Sequence, residues 1–190
     1  MIDREELLLL FKQKKDSTKE TRELILYSLI LVFVLFVTMF INTAVLSNVY
    51  VIGDSMNPTL QTDDVLYINK IVKPDYYDII VLKVVENKDP YIKRVIGLGG
   101  DTVKCSNGIV QIKHKGETDF VTVDSTYAQG VTPDFYLEVG ENEVCFLGDN
   151  RGNSEDSTEL GCRSLDNVIG VVTKWSLKHK NFLKELTEII

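Results

Sequence analysis

Histidine and cysteine are scarce in this sequence, and their scarcity removes two kinds of chemistry at once. Only two histidines occur, His114 and His179, both in lysine-rich surroundings where solvated side chains are expected. Neither is well placed to complete a Ser-His-Asp triad. The three cysteines, Cys105, Cys145 and Cys162, show no Cys-x-x-Cys spacing and no His-rich neighbourhood, so no metal and no cofactor are called for. Three cannot all pair within one chain: one disulfide with a free thiol, and three reduced thiols, both stay open. Basic residues are in the minority, 21 Lys and Arg against 28 Asp and Glu. The resulting net charge of −7 argues against nucleic acid as a partner. Internal repeats and low-complexity linkers are lacking too, and 190 residues suffice for one domain with a sizeable core and something extra.

Long hydrophobic runs are also lacking, with one exception. Leu24 to Ile41 reads LILYSLILVFVLFVTMFI without a charge. A bilayer core takes ~20 apolar residues, and a buried core helix seldom stays apolar on every side for so long. A cleaved signal sequence has a shorter apolar region and a small-x-small site; Thr43-Ala44 offers only a poor one. The run therefore reads as an uncleaved single-pass anchor. Arg4, Lys12, Lys14, Lys15, Lys19 and Arg22 precede it, whereas no basic residue follows until Lys70. Positive charge stays inside, so the N-terminus is expected in the cytoplasm and residues 43–190 outside the cell membrane. The expected organisation is a cytoplasmic segment 1–22, a transmembrane anchor 23–42, an extracytoplasmic domain 43–176 and a tail 177–190. Residues 5–11, EELLLLF, suggest a short amphipathic helix on the cytoplasmic side.

Beyond the anchor the pattern is β. Residues 49–52, 64–68, 78–85, 91–97, 101–105, 108–114, 119–124, 143–148 and 168–175 are rich in β-branched and aromatic residues. Gly, Asp, Asn and Pro clusters such as Ser106-Asn107-Gly108 and Asn57-Pro58 separate them. Short strands at this spacing predict a mainly β domain of barrel or sandwich type. Helical spacing returns only from Trp175 to Ile190, with Trp175, Phe182, Leu186 and Ile189 on one side. With Lys174, Lys178, Lys180 and Lys184, this tail suits either a basic helix in the membrane interface or a terminal helix packed on the β-domain.

Four segments bear on chemistry. Gly53-Asp54-Ser55-Met56-Asn57-Pro58-Thr59-Leu60 follows a strand, and a serine there is ordinarily just a turn residue. In Tyr91-Ile92-Lys93-Arg94-Val95-Ile96-Gly97 a lysine lies among apolar neighbours, with Tyr91 and Val95 on its own face. Strand lysines usually snorkel into water, but a desolvated one has a lowered pKa, and its neutral amine accepts a proton. Gly148-Asp149-Asn150-Arg151-Gly152-Asn153-Ser154-Glu155-Asp156-Ser157 is a polar loop after an apolar strand, and Tyr77-Asp78-Ile79-Ile80-Val81 is an ordinary core strand. Together they mean more: a serine nucleophile needs an activating base, and a Ser-Lys pair is a recognised variant of the triad.

In their order and approximate spacing, these four blocks resemble type I signal peptidases, the small Gram-positive form, from the anchor to about Trp175. The resemblance implies a membrane-bound serine endopeptidase that removes signal peptides from secretory preproteins. It implies Ser55 as nucleophile, Lys93 as general base and Ser154 as the hydroxyl that orients the lysine amine. Asp149 and Asp156 resemble structural members of the supporting loop. Met56, Leu60 and Ile92 resemble walls of shallow subsites for small side chains. The Ser55 backbone N–H would belong to the oxyanion hole. Thr158 stands where many relatives carry arginine, which puts a supporting Asp–Arg pair in doubt. Gly53 stands where some carry a serine, leaving backbone or water to complete the hole. Two other readings carry different features: a self-cleaving repressor needs a DNA-binding domain in place of the anchor, and a non-catalytic tethered β-domain needs Ser55 and Lys93 to be incidental.

Overall fold

A computed structural model describes residues 4–84 and 89–188, and the chain divides into two units, Met1–Ala44 and Val45–Ile190. The first is one helix, α1 (Arg4–Phe40), followed by a π-helical turn at Ile41–Val45. Residues 5–11 are thus part of a continuous helix and not a separate short one. Apart from half-buried Val37, the aliphatic and aromatic side chains from Leu24 to Ile41 are exposed. Its hydroxyls turn inward: Ser28 Oγ donates to Ile25 O and Thr38 Oγ1 to Val34 O. A helix that satisfies its polar groups internally and shows apolar atoms on every side suits hydrocarbon. By length and composition, Thr18–Val45 can cross a membrane.

The second unit is mainly β, as its sequence predicts. Its elements are β1 (Leu46–Tyr50), β2 (Val65–Asn69), β3 (Ile79–Leu82), β4 (Tyr91–Leu98), β5 (Thr102–Ser106), β6 (Ile109–Lys113), β7 (Val121–Thr122), β8 (Phe135–Glu138) and β9 (Glu143–Leu147), then α2 (Ser157–Leu160), β10 (Arg163–Ser164), β11 (Val168–Val172), α3 (Lys174–Lys178) and α4 (Lys180–Glu188). One sheet has the order β1-β2-β11-β3-β4-β9-β10 and the other β7-β6-β5-β8. All these pairings are antiparallel. β3 is buried along its whole length, which explains its unbroken run Ile79-Ile80-Val81-Leu82.

Several expected boundaries move. The strand expected at 78–85 ends at Leu82, and Val85 lies outside the described residues. The strand expected at 168–175 stops at Val172 because the Thr173 side chain accepts from Ser176 N and caps α3, making Trp175 helical. Two short strands, β8 and β10, lay outside the expected set. The β8 signal was the half-buried, exposed alternation of Phe135, Tyr136, Leu137 and Glu138; β10 is only two residues long. The tail is broken at His179, and α4 packs on the β-domain through buried Leu183 and an ion pair from Lys180 to Asp64 at 2.8 Å. Trp175, Phe182 and Leu186 remain exposed, and Ile189 lies outside the described residues.

Candidate active site

β4 carries the central lysine. Ile80 of β3 lies opposite Lys93, while β9 joins β4 only from Arg94 onward, so among the described residues one edge of β4 is unpaired at Tyr91, Ile92 and Lys93. A bulge between Val95 and Gly97 lets the strand keep pairing with β9 beyond that point. Gly97 has to be glycine there, since a Cβ would lie 2.6 Å from Val103 Cγ2.

Ser55 sits in the turn that follows β1. The turn is closed by Asn57 N donating to Asp54 O and Leu60 N donating to Met56 O. Lys93 Nζ is 2.6 Å from Ser55 Oγ, and Lys93 is 4% exposed. Burial pushes its pKa below the ordinary lysine value, while the carboxylates of Asp156, Glu155 and Asp149 pull it back up. The Tyr91 ring lies 5.4 Å from the amine and is held by a 2.7 Å hydrogen bond from its hydroxyl to Glu155 Oε2. That bond pushes the Tyr91 pKa up.

The loop after β9 meets the serine turn directly. Asn150 N donates to Ser55 O at 3.0 Å and Asn150 Nδ2 to Asp54 O at 3.1 Å. Asp156 organises that loop: its Oδ2 accepts from Gly148 N, and its Oδ1 from Thr158 N and Thr158 Oγ1. Thr158, which put an Asp–Arg pair at this position in doubt, bonds Asp156 itself. An Asp–Arg pair is nonetheless present, between other residues. Buried Asp149 accepts from Arg94 Nε at 2.9 Å and Nη2 at 2.6 Å. The Arg94 guanidinium also lies 4.1 Å from the Tyr127 ring centroid and donates to Tyr77 O. Sequence reading assigned Arg94 no role. Its signal was position: it adjoins Lys93, so by strand alternation it faces the opposite side, where only a buried acid can neutralise it.

Ser154 Oγ is buried and has no hydrogen-bond partner among the described residues, and Lys93 Nζ bonds Ser55 Oγ. Ser154 packs over Gly148, where an added Cβ would collide with Ser154 Oγ and the Ser55 carbonyl. Met56 and Ile92 line a cleft of about 840 Å³ with Ser55 and Lys93. Leu60 does not line it: completely buried, it packs with Leu66, Ile68 and Val81 in the core. Along one side the cleft is bordered by Val49 and Tyr50 of β1, the edge strand of its sheet.

A family described as Signal peptidase, peptidase S26 matches residues 22–176. Signal peptidase I P of Bacillus subtilis subsp. natto is 34% identical over 171 residues, which is 84% of this chain and 89% of that protein. Signal peptidase I of Bacillus caldolyticus is 36% identical over 148 residues, 67% of this chain and 78% of its own. A crystal structure of a signal peptidase I from Enterococcus faecalis aligns with a TM-score of 0.46 and 30% identity, covering 54% of this chain and 99% of that one.

Proposed function

Because the chain belongs to the signal peptidase S26 family, whose members are serine peptidases that remove signal peptides, we propose that it cleaves secretory preproteins with a Ser55–Lys93 dyad. The observation that carries this reading is the 2.6 Å separation of Lys93 Nζ from Ser55 Oγ at a nearly dry lysine. A neutral Lys93 amine accepts the Ser55 proton as Oγ attacks the scissile carbonyl. The Ser55 backbone N–H stabilises the oxyanion, with backbone or water completing the hole beside Gly53. Lys93 then returns the proton to the leaving amine and activates the water that hydrolyses the acyl-enzyme. Ser154, a buried hydroxyl with no hydrogen-bond partner among the described residues, is the group we assign to orient the amine during catalysis. Leaving such a hydroxyl unpaired costs ~1–3 kcal/mol, and a catalytic role accounts for that cost.

Substrate enters as a strand between two open edges, β1 on one side and Tyr91–Lys93 of β4 on the other. Met56 and Ile92 then wall shallow subsites that accept small side chains. Residues 23–42 span the bilayer once, with the N-terminus cytoplasmic, and 43–176 form the catalytic domain outside. Fourteen residues lead from Ile41 to Ser55 (55 − 41), a tether that reaches at most ~50 Å even when fully extended. Ser55→Ala and Lys93→Ala are each expected to lower preprotein cleavage by ~10³-fold or more, with the fold intact by circular dichroism. Either variant keeping more than about a hundredth of wild-type turnover would mean that the dyad is wrongly assigned.

A further inference from the structure

Cys145 and Cys162 are separated in sequence by the whole loop that carries Asp149, Ser154 and Asp156, yet the fold brings them together. β9 and β10 pair with Val144 opposite Arg163 and Glu143 opposite Ser164. The paired register ends there, and the next residues outward on the two chains are Cys145 and Cys162, which one further step would set opposite each other. Opposed residues of an antiparallel pair have Cα atoms about 4.5–5.5 Å apart, within the ~4.4–6.8 Å that a disulfide spans. The thiols also act on each other. Cys162 packs against the buried cluster that holds Cys145, with its Sγ 4.0 Å from Glu138 O; the neighbouring Cys145 thiol pulls its pKa down, while Cys162 and burial push that of Cys145 up. Cys105 stands apart on β5, its Sγ 3.5 Å from Thr132 O, with burial and Asp134 as the main influences on its thiol. All three thiols are free in this structure.

We propose that Cys145 and Cys162 are the site of an intrachain disulfide, formed by exchange with a low-molecular-weight disulfide. Half-buried Cys162 is the sulfur that an oxidant reaches first; Cys145 is completely buried. The Cys162 thiolate attacks one sulfur of RS–SR and releases RS⁻. Cys145 then gives up its proton and attacks Cys162 Sγ, displacing the second RS⁻. The two thiols lose two protons and two electrons in all, and RS–SR becomes two RSH. The new bond ties the base of β10 to β9 and closes the loop bearing Asp149, Ser154 and Asp156. Such a closure restricts the unfolded chain and raises stability.

The test uses the full-length chain in detergent and does not depend on the dyad. Reduced protein is incubated with oxidised glutathione, acid-quenched, unfolded and alkylated. The expected product has lost two hydrogens by intact mass, takes one alkyl label at Cys105, and yields a Cys145–Cys162 linked peptide under non-reducing digestion. Its Tm should exceed that of the reduced form by several degrees, and reductant should reverse the shift. Cys105→Ala should form the same bridge and Cys162→Ser should not. Three labelled cysteines after oxidation, a stable glutathione adduct on Cys162, or a bridge through Cys105 would each overturn the proposal.

Discussion

Lys93 combines a short contact to Ser55 with almost no exposure, and its titration follows from that combination. Burial holds its pKa below the ordinary 10.5, so the folded chain binds fewer protons at this site than the unfolded chain does between the two values. Stability contributed through this group is therefore lost as pH falls through the folded pKa. Activity moves the same way, because only the neutral amine is a base. kcat/KM is expected to rise with pH through one apparent pKa below that of free lysine and then level off. Glu155→Gln should move the midpoint lower, since that carboxylate now raises it. A profile still climbing past about pH 10 would mean a solvated lysine and another base. Arg94 belongs to this scale too: its identity was plain in the sequence, but its partner Asp149 lies on another element.

Two glycines in one element separate close packing from simple loop flexibility. Gly148 ends β9's approach to the serine turn, and a Cβ there would strike Ser154 Oγ and the Ser55 carbonyl. Gly152, four residues on, has open space around it. Gly148→Ala is expected to lower kcat by ~10²-fold or more through displacement of Ser55, while Gly152→Ala stays within about twofold. Equal effects in a preprotein cleavage assay would show that Gly148 has no positioning role. The tail helix offers a similar contrast. Leu183 of α4 is buried against the domain and Phe182 is exposed. Leu183→Ala should destabilise the domain by roughly 2–5 kcal/mol in urea unfolding, and Phe182→Ala by no more than ~0.5 kcal/mol. If both cost the same, the helix does not dock as described. Strand existence was legible here because β-branched runs and turn residues alternate. The ends of strands were not, because caps such as Thr173 and partners such as β10 decide where pairing stops.

For the molecule as a whole, the anchor and its charge bias make an orientation testable. Protease added to intact spheroplasts is expected to degrade residues 43–190 and spare a tag at Met1. A protected β-domain would reverse the orientation and remove preproteins outside the membrane as substrates. Local pattern determined an uncharged run of helix length and a mainly β domain, while the serine and lysine that come within 2.6 Å of each other were singled out by four motif blocks in the order that resembles type I signal peptidases. Periodicity and composition carry such information because they reflect burial and backbone preference one segment at a time. Tertiary structure alone decided the rest. It paired Arg94 with Asp149, turned Thr158 toward Asp156, withdrew Leu60 into the core and packed Cys162 against the cluster that holds Cys145. Each of those depends on which strands become neighbours and in what register, and a one-residue shift would send every side chain to the opposite face.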